Sequence, residues 1–158
     1  MIDSSYTKDK TALKKKSERL KIVLDLALRK EQAAMDVLAK KRRYRDDQEE
    51  QCDNLKRYHS QYLEDMKQGV QKVHNAISLQ ANLHFLSQID AAIQQQENVL
   101  KIADSEFSTA MEQWKLLHQK RKGMADLINN YKKDEMNVAD KKEQLQIESD
   151  LLSRRYRS

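Results

Sequence analysis

The chain's four histidines, His59, His74, His84 and His118, and its single cysteine, Cys52, are the side chains best suited to ligating metal or moving protons near neutral pH. A zinc site needs three or four such groups converging with bonds near 2 Å. No two of the histidines stand three or four residues apart, so no helix face presents a chelating pair. Cys52 and His59 share a helical face but lie two turns apart, roughly 10 Å along the axis, too far for one ion. The Gly-rich phosphate loop, the nucleophile elbow and the metal-protease helix motif are all absent. The histidines therefore read as surface or seam residues and Cys52 as a small helix residue. No catalytic group, metal or cofactor is expected, and the chain reads as a non-enzyme.

Its charges point to binding instead. Residues 1–45 hold 14 basic and 6 acidic side chains, a surplus of +8. Residues 46–114 hold 5 and 12, a surplus of −7, and residues 115–158 hold 11 and 7, a surplus of +4. Any single run, such as Lys14-Lys15-Lys16 or Lys40-Lys41-Arg42-Arg43, is best read as a solvated helix face, but sorting over the whole length predicts two ends with two kinds of partner. Clustered lysine and arginine also attract nucleic acid and anionic lipid. These segments interleave acids and lack an aromatic stacking platform, so both ideas stay secondary and no nucleic-acid partner is expected.

The elements that must carry these residues are helices. There is no proline and there are only two glycines, Gly69 and Gly123, while charged residues make up 35% and aromatics 6% of the chain. That is the composition of long helices rather than of a globe. An apolar stripe runs from Leu13 through Leu20, Val23, Leu24, Ala27, Leu28, Ala34, Val37 and Leu38, then thins to Tyr44, Leu55, Tyr58 and Tyr62. The second half is more regular. Leu79, Leu86, Ile93, Leu100, Phe107 and Trp114 fall seven apart, with Ile89, Ala103, Ala110, Leu117, Met124 and Tyr131 between them, a heptad seam.

Between the two stripes, Met66 to Ser78 contains Gly69, loses the phase and offers Asn75 and Ser78 as N-caps. The expectation is one all-α hairpin over 1–158: helix 1 about 11–67, a turn about 68–77 and helix 2 about 78–153, paired as an antiparallel coiled coil. At 1.5 Å per residue it forms a rod of roughly 80–90 Å. Positions summing to about 146 lie opposite, which places Tyr58 and Tyr62 near Leu83 to Gln88 and leaves Lys141 to Ser158 overhanging, with Ile147, Leu151 and Leu152 as an apolar stripe. No run of about 18 apolar residues exists and the N-terminus is polar. Together with the lone cysteine, this predicts a cytoplasmic protein.

The residues themselves resemble the FliJ family of flagellar export proteins and its YscO-like relatives in type III secretion. Residues 24–66, LDLALRKEQAAMDVLAKKRRYRDDQEEQCDNLKRYHSQYLEDM, resemble the family's first helix, ending on Leu55, Tyr58 and Tyr62 in a Leu-x-x-Tyr-x-x-x-Tyr pattern. NLHFLSQIDAAI resembles the family's Phe-Leu-x-x-Leu/Ile-x-x-Ala-Ile stretch, and MEQWKLLHQKRKGMADL its Trp followed by basic residues and Leu. The resemblance covers about Leu13 to Lys142. The chain departs from it in its extended polar N-terminus and at Gln96, where some relatives carry histidine.

The resemblance implies a soluble, non-enzymatic component of the export apparatus with the fold of a rotary-ATPase stalk subunit. Such a protein inserts its paired termini into the hexameric export ATPase, links that ring to the membrane export gate, contacts export chaperones and sits peripherally at the inner face of the cell membrane. The gate contact it implies is Phe85, Ile89, Ala92 and Gln96 on one face of helix 2. The charge sorting assigns the ATPase contact to Lys14, Lys15, Lys16 and Arg19 with Arg154, Arg155 and Arg157. An injectisome stalk protein and a generic coiled-coil scaffold remain the other readings.

Overall fold

The structure, a computed structural model, describes the backbone of residues 4–70 and 76–157 and the side chains of residues 17, 19–69 and 76–157. Two long helices account for it: α1, Ser4–Val70, and α2, Ala76–Arg157. They pack against each other as an antiparallel all-α pair, and no strand occurs among the described residues. α1 continues through Gly69 to Val70, and Ser78 sits inside the first turn of α2 rather than at its cap. Residues 71–75 of the expected turn, Asn75 and His74 among them, lie outside the described residues. With no proline in the chain, nothing removes a backbone donor inside either helix. Arg154, Arg155 and Arg157 in the last turn of α2 favour its negative dipole end.

The chain divides into two compact units. Unit 1 comprises residues 1–33 and 115–158, and unit 2 residues 34–114. In both, the inward-facing residues of α2 recur at alternating spacings of four and three, the heptad rhythm of a coiled coil. In unit 2, Leu86, Ile89, Ala103 and Ala110 are buried and Ile93, Leu100 and Phe107 half-buried. In unit 1, Ile128 is buried and Leu117, Met124 and Tyr131 half-buried. The heptad read from this helix is therefore the seam the structure uses, except that Leu79 is exposed.

The first helix departs from its sequence reading. Its inward rows are Ser17, Leu20, Leu24, Ala27, Glu31, Ala34, Leu38, Lys41, Arg45, Gln48, Cys52, Leu55, His59, Tyr62 and Met66, again three and four apart. Val23, Leu28, Val37, Tyr44 and Tyr58, assigned above to the inward stripe, are exposed on neighbouring rows. Polar residues hold the seam in their place, and each meets a partner on α2. Lys41 Nζ lies 2.9 Å from Glu106 Oε2, and Gln96 donates to the Gln48 side-chain oxygen at 2.7 Å. His59 Nε2 lies 2.9 Å from Asp90, and Arg45 Nε 3.7 Å from Asp104. The Arg45 guanidinium also stacks 4.9 Å from the Phe107 ring centre.

A half-buried polar group needs such partners, because leaving it unsatisfied costs about 1–3 kcal/mol. Solvent-exposed ion pairs contribute little net stability, so these contacts act mainly to fix the register of the two helices. In unit 2 the partner numbers sum to between 144, for Gln48 with Gln96, and 153, for Lys56 with Glu97. Tyr62 accordingly reaches Phe85, with ring centres 4.9 Å apart, and its hydroxyl donates to Asn82 at 2.8 Å.

Candidate functional site

A helix pair has two flanks, and in unit 2 they differ. On the first, α2 presents acids beside the seam, and α1 answers with bases: His59 with Asp90, Lys56 with Glu97 at 3.0 Å and Arg45 with Asp104. The hydrogen bond from Lys56 to Glu97 raises the lysine's pKa above its ordinary value, with the Cys52, Glu97 and Asp53 fields adding to it. The second flank carries Tyr44, Tyr58, Val37, Phe85, Val99 and Ile102, all exposed or half-exposed. This flank is apolar because the one-row offset of α1 leaves its aromatic and aliphatic row outside the seam.

The four residues expected to form the gate contact divide between seam and flank. Phe85, 38% exposed, and Ala92, half-buried, lie on the apolar flank. Ile89, 6% exposed, is part of the seam. Gln96 faces inward too, and its amide donates to both the backbone and the side-chain oxygen of Gln48, at 3.2 and 2.7 Å. Only Phe85 and Ala92 of this set present side chains outside the seam.

In unit 1 the seam contains a charged cluster that the sequence reading missed. Arg121 Nε donates to Glu31 Oε2 at 2.6 Å, and His118 Nδ1 lies 2.7 Å from Glu31 Oε1. That short contact requires the proton on Nδ1, so His118 donates to the carboxylate. The Arg121 Nη2 atom, 3.2 Å from the same nitrogen, is then a neighbour rather than a donor to it. The Arg121 hydrogen bond, followed by that of His118, holds the Glu31 carboxyl below its ordinary pKa of 4.5. Arg121 is raised in turn by Glu31. The signal for this cluster was present in the sequence: extending the three-four rhythm of Leu20, Leu24 and Ala27 lands on Glu31.

Unit 1 also holds both sets of residues expected to contact the ATPase. Arg19, Arg154, Arg155 and Arg157 are exposed. Lys14, Lys15 and Lys16 belong to α1, but their side chains lie outside the described residues. Interspersed with the arginines, Leu151, Leu152 and Tyr156 are exposed, as are Leu145 and Ile147 before them. An exposed surface mixing arginine with leucine and tyrosine suits protein contact.

Among the described residues no three histidine, cysteine or acidic side chains gather where a metal ion could sit. His84 is exposed beside Gln88, while His59 and His118 are engaged with carboxylates. Among the described residues no helix is long and apolar enough to cross a membrane.

These features define a class: a two-helix coiled-coil protein whose exposed chemistry lies on an apolar flank and on basic helix ends. A family model described as Flagellar FliJ protein matches residues 15–157. The chain belongs to the FliJ family, and with it to the components of flagellar type III protein export. No curated protein and no solved structure matches it.

Proposed function

We propose that the protein is the stalk of the flagellar export machine: it binds and stimulates the hexameric export ATPase and couples that ring to the membrane export gate and to export chaperones. The observation that carries this reading is the sorting of charge between the two units. Residues 1–33 and 115–158, which include both ends of the chain, hold 20 basic and 12 acidic side chains, a surplus of +8. Residues 34–114 hold 10 and 13, a surplus of −3, and carry the apolar flank.

The basic unit enters the ring through Lys14, Lys15, Lys16 and Arg19 with Arg154, Arg155 and Arg157, and unit 2 is left to meet the gate through Phe85 and Ala92. An asymmetric shaft in a symmetric ring touches one protomer differently from its neighbours. It biases their nucleotide states by that difference in affinity, with no chemistry of its own. The protein acts in the cytoplasm and is held peripherally at the inner face of the membrane by the apparatus.

The test is the ATP hydrolysis rate of the purified export ATPase from the same organism, with and without this protein, alongside co-elution on a sizing column. Stimulation within a ring-sized complex supports the stalk. Charge reversal at Arg154, Arg155 and Arg157 together with Lys14 to Lys16 should then abolish binding at low salt. Unchanged binding by that variant would remove the basic ends from the contact, and a folded protein that neither binds nor stimulates would end the stalk reading. Phe85→Ala should fold normally and lose gate binding.

A further inference from the structure

On its α2 side the apolar flank of unit 2 is depleted in charge as well as rich in apolar groups, while the α1 side carries Lys40, Asp47 and Asp65. From Ala81 to Gln113, the α2 positions that face this flank, spaced three and four apart, number ten and include one charged residue, Glu106. In a chain that is 35% charged, ten surface positions would carry three or four. Lys41 neutralises the single acid at 2.9 Å. A solvated helix face has no reason to lack charge, whereas the centre of a protein interface does.

About two turns of this flank are shaped into a groove. Val37 and Tyr44 of α1 form one wall and Val99 and Ile102 of α2 the other, with Lys40 and the Lys41–Glu106 pair at the edge, enclosing about 650 Å³. Ile102 is 62% exposed and Tyr44 47%. The groove is open rather than closed over, so a small molecule would keep much of its surface in water. The apolar ridge of a third helix would fill it, as ridges fill grooves between packed helices. The charged lining is two lysines against one glutamate, which favours a helix with a carboxylate beside its ridge.

We propose that the Val37, Tyr44, Val99 and Ile102 groove of unit 2 is a docking site for an amphipathic helix of a partner protein, one that sets an acidic residue against Lys40. The docked helix completes a local three-helix bundle and removes the exposed isoleucine and tyrosine from water. The inference stands apart from the stalk reading, since it concerns unit 2 alone and needs neither ATPase nor gate to test.

The probe is a synthetic peptide of about 20 residues, long enough to hold a helix, with leucine at three-four spacing and glutamate beside it. A second peptide carries lysine in place of glutamate. Binding to the full chain is followed by fluorescence anisotropy and by methyl resonances of Val99 and Ile102, with circular dichroism checking the fold of each variant. The glutamate peptide should bind and shift both methyl signals, and the lysine peptide should bind on the order of tenfold more weakly. Ile102→Glu should weaken the glutamate peptide by at least about tenfold, the effect of an unpaired charge in an apolar contact. Lys40→Glu should reverse the preference between the two peptides, and Leu151→Glu in unit 1 should change nothing. No binding near 1 mM peptide, equal binding by both peptides, or insensitivity to Ile102→Glu would overturn the proposal. So would a dimer of the chain that Ile102→Glu dissolves, since it would give the groove to a second copy.

Discussion

Two isoleucines of α2, thirteen residues apart, should answer the same truncation in opposite ways. Ile89 is 6% exposed in the seam, and Ile102 is 62% exposed on the flank. Replacing isoleucine by alanine removes three carbons, worth about 0.8 kcal/mol each when fully buried. At Ile89 nearly all of that is lost, about 2.3 kcal/mol, and the void left in the seam brings the cost to about 2.5–3.5 kcal/mol. At Ile102 roughly two-fifths is lost, about 0.9 kcal/mol, and the better helix propensity of alanine offsets about 0.4 of it. For a chain of this size about 1 kcal/mol moves the melting temperature by roughly 2–4 °C. Thermal unfolding followed by circular dichroism at 222 nm should therefore show Ile89→Ala melting roughly 6–12 °C lower and Ile102→Ala within about 2 °C of the parent. Equal shifts would refute the assignment of seam and flank. The comparison also bears on function: loss of gate binding by an Ile89 variant would report a damaged seam, whereas Phe85→Ala also gives up its ring contact with Tyr62, so loss of gate binding there reports a contact when its dichroism at the assay temperature matches the parent.

Three further outcomes follow from the polar seam and its one thiol. Glu31 has a folded pKa below its ordinary 4.5, so its stabilisation is present above that value and lost as pH falls through the folded one. Glu31→Gln should melt lower than the parent at pH 7, and the gap should close below pH 4.5; a gap constant into acid would discount the contacts of Arg121 and His118. Gln96→Leu alone should lower stability by about 1 kcal/mol by stranding the Gln48 amide, while Gln48→Leu with Gln96→Leu should raise it by about 1–3 kcal/mol, as apolar replacements of a polar seam pair do. Urea denaturation separates these, and a stabilising single change would contradict the bond between the two amides. Cys52 is 2% exposed, so a thiol reagent should modify the folded chain only as fast as the seam opens, with labelling accelerating in step with urea unfolding.

The sequence by itself determined the helices and the seam of α2. Without proline nothing interrupts either helix, and in α2 the row through Leu86, Ile93, Leu100, Phe107 and Trp114, with Ile89, Ala103 and Ala110 between, stays apolar for longer than the row beside it, where Phe85, Ala92 and Val99 give way to Glu106, so the row that seeks burial can be read. It also pointed to the family, through order and spacing from about Leu13 to Lys142, and the family model matches residues 15–157. In α1 the same reasoning fails for a physical reason. Val37, Tyr44 and Tyr58 form one row and Leu38, Cys52 and Leu55 lie on the rows beside it, with Glu31, Lys41, Arg45, Gln48 and His59 filling the gaps. Hydrophobicity alone does not choose between rows so similar in apolar content.

The partner helix chose, through contacts that no single helix contains: Glu31 with His118 and Arg121, Lys41 with Glu106, Gln48 with Gln96, His59 with Asp90. That choice turned Ile89 and Gln96 inward and left Phe85, Tyr44 and Ile102 outside. The charge sorting was legible residue by residue, because formal charge is local. The division of unit 2 into an ion-paired flank and an apolar one was not, because a flank exists only once two helices have met in a fixed register.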